Sequence, residues 1–236
     1  MQASVILRLV SGALQDLEPG LESRWPWEGQ GGRIGLLDFL NAAKRAIVLE
    51  RPDLTAITSP VRLEPGMRQR LPRRKENDAE KDATMLIELV RNMGEDGEHP
   101  GPAIVSAQMD ILLAWARPDV TGNVVENYAY DRVLNREVYY VYPAVPVCRE
   151  VWVEATYSTA PDVLTCSSQD IGLPDEYAAA IQHHMLAAVL SGDNESSNAN
   201  KAAYHQQMFA SLLGIKTSVD VSWPKAKSSM VPGAAS

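Results

Sequence analysis

The stretch from Asn123 to Ser158 decides the fold, and it ends in 147-VCREVWVEATYS-158, where apolar and polar residues alternate. A period of two places successive side chains on opposite faces of a β-strand. One predicted face carries Val147, Val151, Val153, Ala155 and Tyr157, and the other carries Cys148, Glu150, Trp152, Glu154 and Thr156. An apolar face opposite a mostly polar one is typical of a sheet that is covered on one side. We therefore predict a small antiparallel sheet in this stretch.

Helix-like sequence flanks this stretch on both sides. Apolar residues three and four positions apart predict amphipathic helices over residues 3–17, 33–51, 174–190 and 196–214. The short break at Gly192-Asp193-Asn194 predicts that the last two helices form an antiparallel hairpin.

The segment before the sheet stretch carries weaker signals. Glu64-Pro65-Gly66 is a turn signal, and it predicts a β-hairpin over residues 55–71. Residues 85–90 predict a short strand, and residues 104–115 predict a helix that ends before Arg117-Pro118.

Together these elements predict an α+β fold that is mainly helical. We expect a bundle of about four helices, an inserted small antiparallel β-domain and an extended C-terminal tail. The predicted parts are the first part of the bundle (1–55), a β-rich insertion with one short helix (56–172), a hairpin completing the bundle (173–214) and the tail (215–236).

Several aromatic and apolar residues are candidates for protein contacts. Trp152 lies between Glu150 and Glu154, and an aromatic residue ringed by charge is a common interface pattern. Tyrosine is favoured both in strands and at interfaces, which adds Tyr140 and Tyr142. The tail contributes three further candidates, which are Trp223, Met230 and Val231.

Composition excludes some classes of function. The net charge of −8 and the pI near 5.1 disfavour a protein that grips nucleic acid by its phosphates. Two cysteines, Cys148 and Cys166, provide neither a disulfide framework nor a metal-ligand spacing. No apolar run approaches the ~20 residues of a bilayer span, so we expect no membrane partner. The N-terminus lacks signal-peptide features, which predicts a protein made in the cytoplasm.

Three histidines carry the alternative hypothesis of an enzyme. A hairpin of the last two helices can bring His183 or His184 near His205, which gives two nitrogen ligands. A zinc site needs at least one more ligand, and no His-Glu-x-x-His spacing is present. The sequence also lacks a Gly-x-Ser-x-Gly nucleophile motif. We therefore expect no catalytic residue, cofactor or metal, and keep a hydrolase or metal-dependent enzyme as the alternative.

A nucleic-acid-binding module is a further alternative. Stacking of bases on tyrosines would require interleaved basic residues, and those are few: Arg132, Arg136 and Arg149. A basic run from Arg70 to Lys75 is followed at once by four acidic residues within 76–82, which favours a solvated loop.

Several segments, in the order in which they follow one another along the chain, resemble the head-to-tail adaptor (connector) proteins of tailed bacteriophages. They are 36-LLDFLNAAKRAIV-48 with Arg51-Pro52-Asp53, 63-LEPGMRQRLP-72, Glu88 to Gly94, 139-YYVYP-143, Tyr157-Ser158, 173-LPDEY-177 and the closing helical hairpin. The resemblance covers roughly residues 1 to 215.

The resemblance implies a structural virion protein of the neck between capsid and tail. Such adaptors form a ring, usually twelve-fold, that binds the portal above and the tail nozzle or tail tube below. The ring leaves a channel for the genomic DNA, which passes without specific binding, and the family brings no active site. An acidic chain suits such a conduit, because a negative lumen repels DNA and lets it slide.

Overall fold

The computed structural model describes residues 1–16, 24–29, 33–73, 82–192 and 196–222, with side chains over 198–214 of the last range. The chain divides into two compact units, one made from residues 1–47 and 163–236 and the other from residues 48–162. The first unit is helical and the second holds the strands, which confirms a mixed α+β fold. The candidates Trp223, Met230 and Val231 lie outside the described residues.

Helices and strands within the described ranges have the following bounds. The helices are α1 (Ala3–Ala13), α2 (Leu36–Glu50), α3 (Met109–Trp115), α4 (Ala178–Ser191) and α5 (Ser196–Ser222). The strands are β1 (Ala56–Arg62), β2 (Gly66–Arg70), β3 (Ala83–Asn92), β4 (Val105–Ser106), β5 (Asn127–Ala129), β6 (Val138–Val145) and β7 (Trp152–Thr159).

The helical unit is organised around α4. This helix packs against both α1 and α5, which confirms the predicted hairpin of the last two helices. Asn41 on α2 is buried, and its side-chain amide forms two hydrogen bonds with the backbone of Leu164, at 2.9 and 2.8 Å. The amino group of Met1 lies 2.7 Å from Asp170 Oδ2, so the N-terminus is held on the same 163–171 segment.

The sheet unit contains two sheets around one hydrophobic core. The strand orders are β1-β7-β3 and β2-β6-β5-β4, with β4 parallel to β5 and the other pairs antiparallel. The core draws on both sheets and includes Val61, Leu86, Leu89, Tyr128, Tyr139, Val141, Val153, Ala155 and Tyr157. Four of its strands, β1 to β4, come from outside residues 123–158, and three of these lie where the sequence predicts strands, over residues 55–71 and 85–90.

The central strand β7 follows the predicted alternation only in part. Val153, Ala155 and Tyr157 are buried as predicted. Val147 is 83% exposed, so its predicted place on the buried face is wrong. The reason is that Val147 lies in the turn before β7, whereas Val151, directly before the strand, is buried as predicted.

The hairpin predicted over residues 55–71 is also wrong. Both strands form, but β1 pairs with β7 and β2 pairs with β6, in different sheets. Gly66 adopts a φ of +104° after the Glu64-Pro65 turn, and the Gln69 amide bonds the backbone of Glu64 and Gly66. The turn thus carries the chain from one sheet to the other, and each strand gains a longer partner than a lone hairpin provides.

Two other segments differ from their predicted extents. The strand predicted over residues 85–90 runs over Ala83–Asn92, because it pairs with β7 through three register shifts. The helix predicted over residues 104–115 begins only at Met109, since Val105 and Ser106 pair with β5.

Candidate protein-protein interface

The outer face of β7 carries the predicted interface residue Trp152, and a loop covers it. Gly97 lies against the indole with a φ of +79°, and a Cβ added there would lie 3.0 Å from Trp152 Cε3. The backbone of Trp152 is also bonded to this loop, since Met93 N donates to its carbonyl at 2.8 Å. Trp152 is therefore half-buried within its own chain.

The two carboxylates beside Trp152 are engaged by neighbouring strands. Arg62 of β1 forms an ion pair with Glu150 at 3.1 Å, and Arg91 of β3 forms one with Glu154 at 2.9 Å. Exposed pairs of this kind contribute little to stability, but they neutralise the charge around the indole. The role of Trp152, Glu150 and Glu154 as an interface stays a prediction.

The cover over Trp152 is fixed by Asn92, which is 3% exposed. Its side chain donates to the carbonyls of Pro102 and Val125 at 3.0 and 2.8 Å, and accepts from Val125 N at 2.8 Å. Because a buried amide must find partners, these bonds close the loop of residues 93–102 over the sheet.

The outer face of β6 carries Tyr140 and Tyr142. They alternate with buried Tyr139 and Val141 and are themselves half-exposed. Burial raises the pKa of the Tyr139 hydroxyl well above its usual range, so this hydroxyl stays protonated. Tyr142 meets Trp115 edge to face, with ring centroids 4.7 Å apart.

Helix α3 presents apolar residues that the described part of the chain leaves exposed. Its sequence is MDILLAW, and of these residues only Leu112 is buried. Ile111 and Trp115 lie on one side of the helix, four residues apart. We define the α3 surface as Ile111, Leu113, Trp115, Val124 and Tyr142, in which Trp115 is 46% exposed.

The loop between β5 and β6 holds two aliphatic side chains out in solvent. Val133 is 86% exposed and Leu134 is 76% exposed. The carboxylate of Asp131 accepts hydrogen bonds from the backbone N–H groups of both residues, at 2.8 and 3.3 Å. We define the hairpin tip as Val133 and Leu134, which this turn keeps ordered.

Sequence reasoning missed both of these surfaces. It predicted a helix over residues 104–115 without assigning its apolar residues to a surface, and it considered the 131–137 loop only for its basic residues Arg132 and Arg136. One signal was available for α3, because MDILLAW has a single charged residue and therefore no polar face to turn outward.

The structure brings two of the three predicted histidines together. His183 Nδ1 and His205 Nδ1 are 2.7 Å apart, beside a cavity of about 620 Å³ that Asp16 and Lys201 also line. Burial and the neighbouring His183 lower the pKa of His205. His184 packs edge to face on Phe209 instead, and burial lowers its pKa as well.

In the described ranges, no group of three His, Cys, Asp or Glu side chains could hold a metal ion, so the His183–His205 pair lacks a third ligand there.

The basic run from Arg70 to Lys75 can be checked only at its start, because residues 74–81 lie outside the described ranges. There, Arg73 pairs with Glu137 at 2.7 Å, which neutralises one of its charges.

Comparisons with known proteins identify the family. A search of curated proteins gave no match. Within the described ranges, every helix is too short or too polar to cross a bilayer. The family model for the SU10 adaptor protein matches residues 1–232, nearly the whole chain. The chain therefore belongs to the SU10 adaptor protein family, and it is a bacteriophage adaptor, a virion component of the head-tail connector class.

Proposed function

We propose that this protein forms a twelve-fold ring that joins the phage portal to the tail nozzle or tail tube. The match of the SU10 adaptor family over residues 1–232 carries this proposal. Exposed apolar side chains on α3 and the hairpin tip support it, because ring subunits need side faces that bury such residues.

The helical unit provides the proposed body of the subunit. In this proposal α1, α2, α4 and α5 form the four-helix bundle, and the sheet unit is the contact-bearing part. The tail with Trp223, Met230 and Val231 reaches a neighbouring subunit or the portal. Deletion of residues 217–236 is then expected to leave a folded subunit with impaired assembly.

The proposed lumen passes DNA without holding it. The formal net charge of −8 supports this role, since a negative channel repels phosphates. DNA binding is therefore expected to be weak and to fall steeply with salt. Tight binding of DNA by the isolated protein at physiological salt would instead favour the nucleic-acid-binding alternative.

Mass measurement of the protein alone and with purified portal rings tests the proposal. A complex with twelve copies of this chain per portal ring is the expected result. A protein that stays monomeric and unbound at tens of micromolar would overturn the ring and the portal contact together.

A metal-dependent enzyme remains the second candidate, and the 2.7 Å contact of His183 with His205 is the observation that favours it. Elemental analysis of the purified protein tests it. Zinc bound by the wild type and lost from His205→Ala, but retained by His99→Ala, would support the enzyme over the structural adaptor.

A further inference from the structure

We infer that the subunits join head to tail, with the hairpin tip of one copy seated on the α3 surface of the next. This inference rests on the proposed ring and names the residues that build its side contact. The occupant of the α3 surface is thus a second copy of this chain.

The apolar parts of the two surfaces match. The hairpin tip offers two adjacent aliphatic side chains on a turn that Asp131 orders, so little conformational entropy is lost when they are covered. The α3 surface offers an aromatic pair, Trp115 on Tyr142, beside Ile111. Aromatic residues are enriched at the centres of protein-protein interfaces.

The charges around the two surfaces are complementary. Arg132 and Arg136 flank the hairpin tip and are exposed. Of the two nearby carboxylates, Glu137 pairs with Arg73, and Asp131 caps the turn but keeps its charge, so two arginines against one carboxylate leave the tip with a net positive charge.

The α3 surface has the opposite balance. Asp110, Asp119 and Glu126 are exposed around it, against one arginine, Arg117. A basic tip therefore faces an acidic patch, and such complementarity fixes which partner and which orientation are accepted.

The positions of the two surfaces require that different copies meet. Tyr142, which contacts Trp115, pairs with Asn127 at one end of the β5–β6 ladder, and the hairpin tip follows the other end. Val138 and Tyr142 are about 13 Å apart along the strand. A contact between different surfaces of two copies is heterologous, and repetition of it closes a ring or extends a filament.

Two variants with matched charge test the contact. Val133→Glu with Leu134→Glu alters the tip, and Ile111→Glu with Leu113→Glu alters the α3 surface. All four side chains are exposed, so both variants are expected to keep the wild-type melting temperature. In mass measurements with portal, each variant alone is expected to form at least tenfold less ring than the wild type.

An equimolar mixture of the two variants provides the decisive readout. Each mixed pair retains one intact tip and one intact α3 surface, so dimers are expected at concentrations where each variant alone is monomeric. Rings of wild-type size from either variant, or a mixture that stays monomeric, would overturn the inference and leave the ring itself standing. A wild-type protein that forms no ring with portal would overturn both.

Variants that form rings but no longer bind portal would mean that these surfaces contact the portal. That result would also overturn the second-copy assignment.

Discussion

The sheet unit presents two tryptophans on outward faces, and its own chain treats them differently. Trp152 lies under the loop of Gly97, and ion pairs engage the carboxylates on either side of it. Trp115 lies on a short helix and touches Tyr142, and Ile111 and Leu113 of the same helix are also exposed. Among the described residues the first arrangement is complete, whereas the second leaves Trp115 partly uncovered, and we assign its cover to another molecule.

The comparison shows that an aromatic residue on the polar side of a strand is not by itself an interface. Its exposure depends on what a distant loop brings over it. Single substitutions can disrupt one side of this comparison at a time, with effects on stability that decrease from Asn92→Ala to Arg62→Gln.

Asn92→Ala breaks the cover over Trp152. The change removes three side-chain hydrogen bonds and leaves buried groups of Pro102 and Val125 without that partner. We expect the free energy of unfolding to fall by about 3 kcal/mol, measured by urea denaturation. Exposed Asn123→Ala is the control and is expected to change it by less than about 0.5 kcal/mol. A loss below about 1 kcal/mol would mean that the loop is held by other contacts.

Gly97→Val tests the same cover from the other side. The new Cβ would meet the Trp152 indole at 3.0 Å, on a backbone with a φ of +79° that valine adopts only with strain. We expect a loss of about 2 kcal/mol in the same assay. Gly12→Ala is the matched control, because a Cβ at Gly12 meets no atom within 4 Å and alanine favours the helix. Equal stability of the two variants would contradict the close packing over Trp152.

Trp115→Ser is expected to separate stability from assembly. Loss of the edge-to-face contact with Tyr142 costs about 1 kcal/mol of folding free energy. Assembly with the portal should fail, and the mass distribution of the mixture is the measurement. Normal assembly of Trp115→Ser, together with failed assembly of a folded Trp152→Ser, would reverse the comparison.

Arg62→Gln addresses the charges beside Trp152 and is expected to have the smallest effect. Its ion pair with Glu150 is exposed, so the free energy of unfolding should change by at most about 0.5 kcal/mol. Assembly should remain normal if the face of Trp152 is complete within the subunit. A folded variant that fails to assemble would instead support the prediction that the face of Trp152 is an interface.

Local patterns predicted what depends on local geometry. The alternation of Val153, Ala155 and Tyr157 follows from the pleat of one strand, and the hairpin of α4 and α5 follows from a short break between two periodic segments. The family resemblance also held, because it depends on the order of segments along nearly the whole chain.

The failures concern pairing between distant segments. The Glu64-Pro65-Gly66 turn fits a hairpin as well as a crossing between sheets, and only the available partners decide between them. The cover over Trp152 joins residues more than fifty positions apart, so no local pattern contains it. The lack of a polar face in MDILLAW indicates that α3 is covered by something, but the sequence alone does not say whether the cover is the chain's own core or another molecule.

Hydrogen-deuterium exchange of the free protein and of its complex with portal rings tests the central claim most directly. Slower exchange is expected in residues 109–115 and 131–137 on assembly, while residues 152–159 exchange at the same rate in both states. Slower exchange around Trp152 with no change in α3 and the hairpin tip would contradict the claim that the exposed surfaces build the ring.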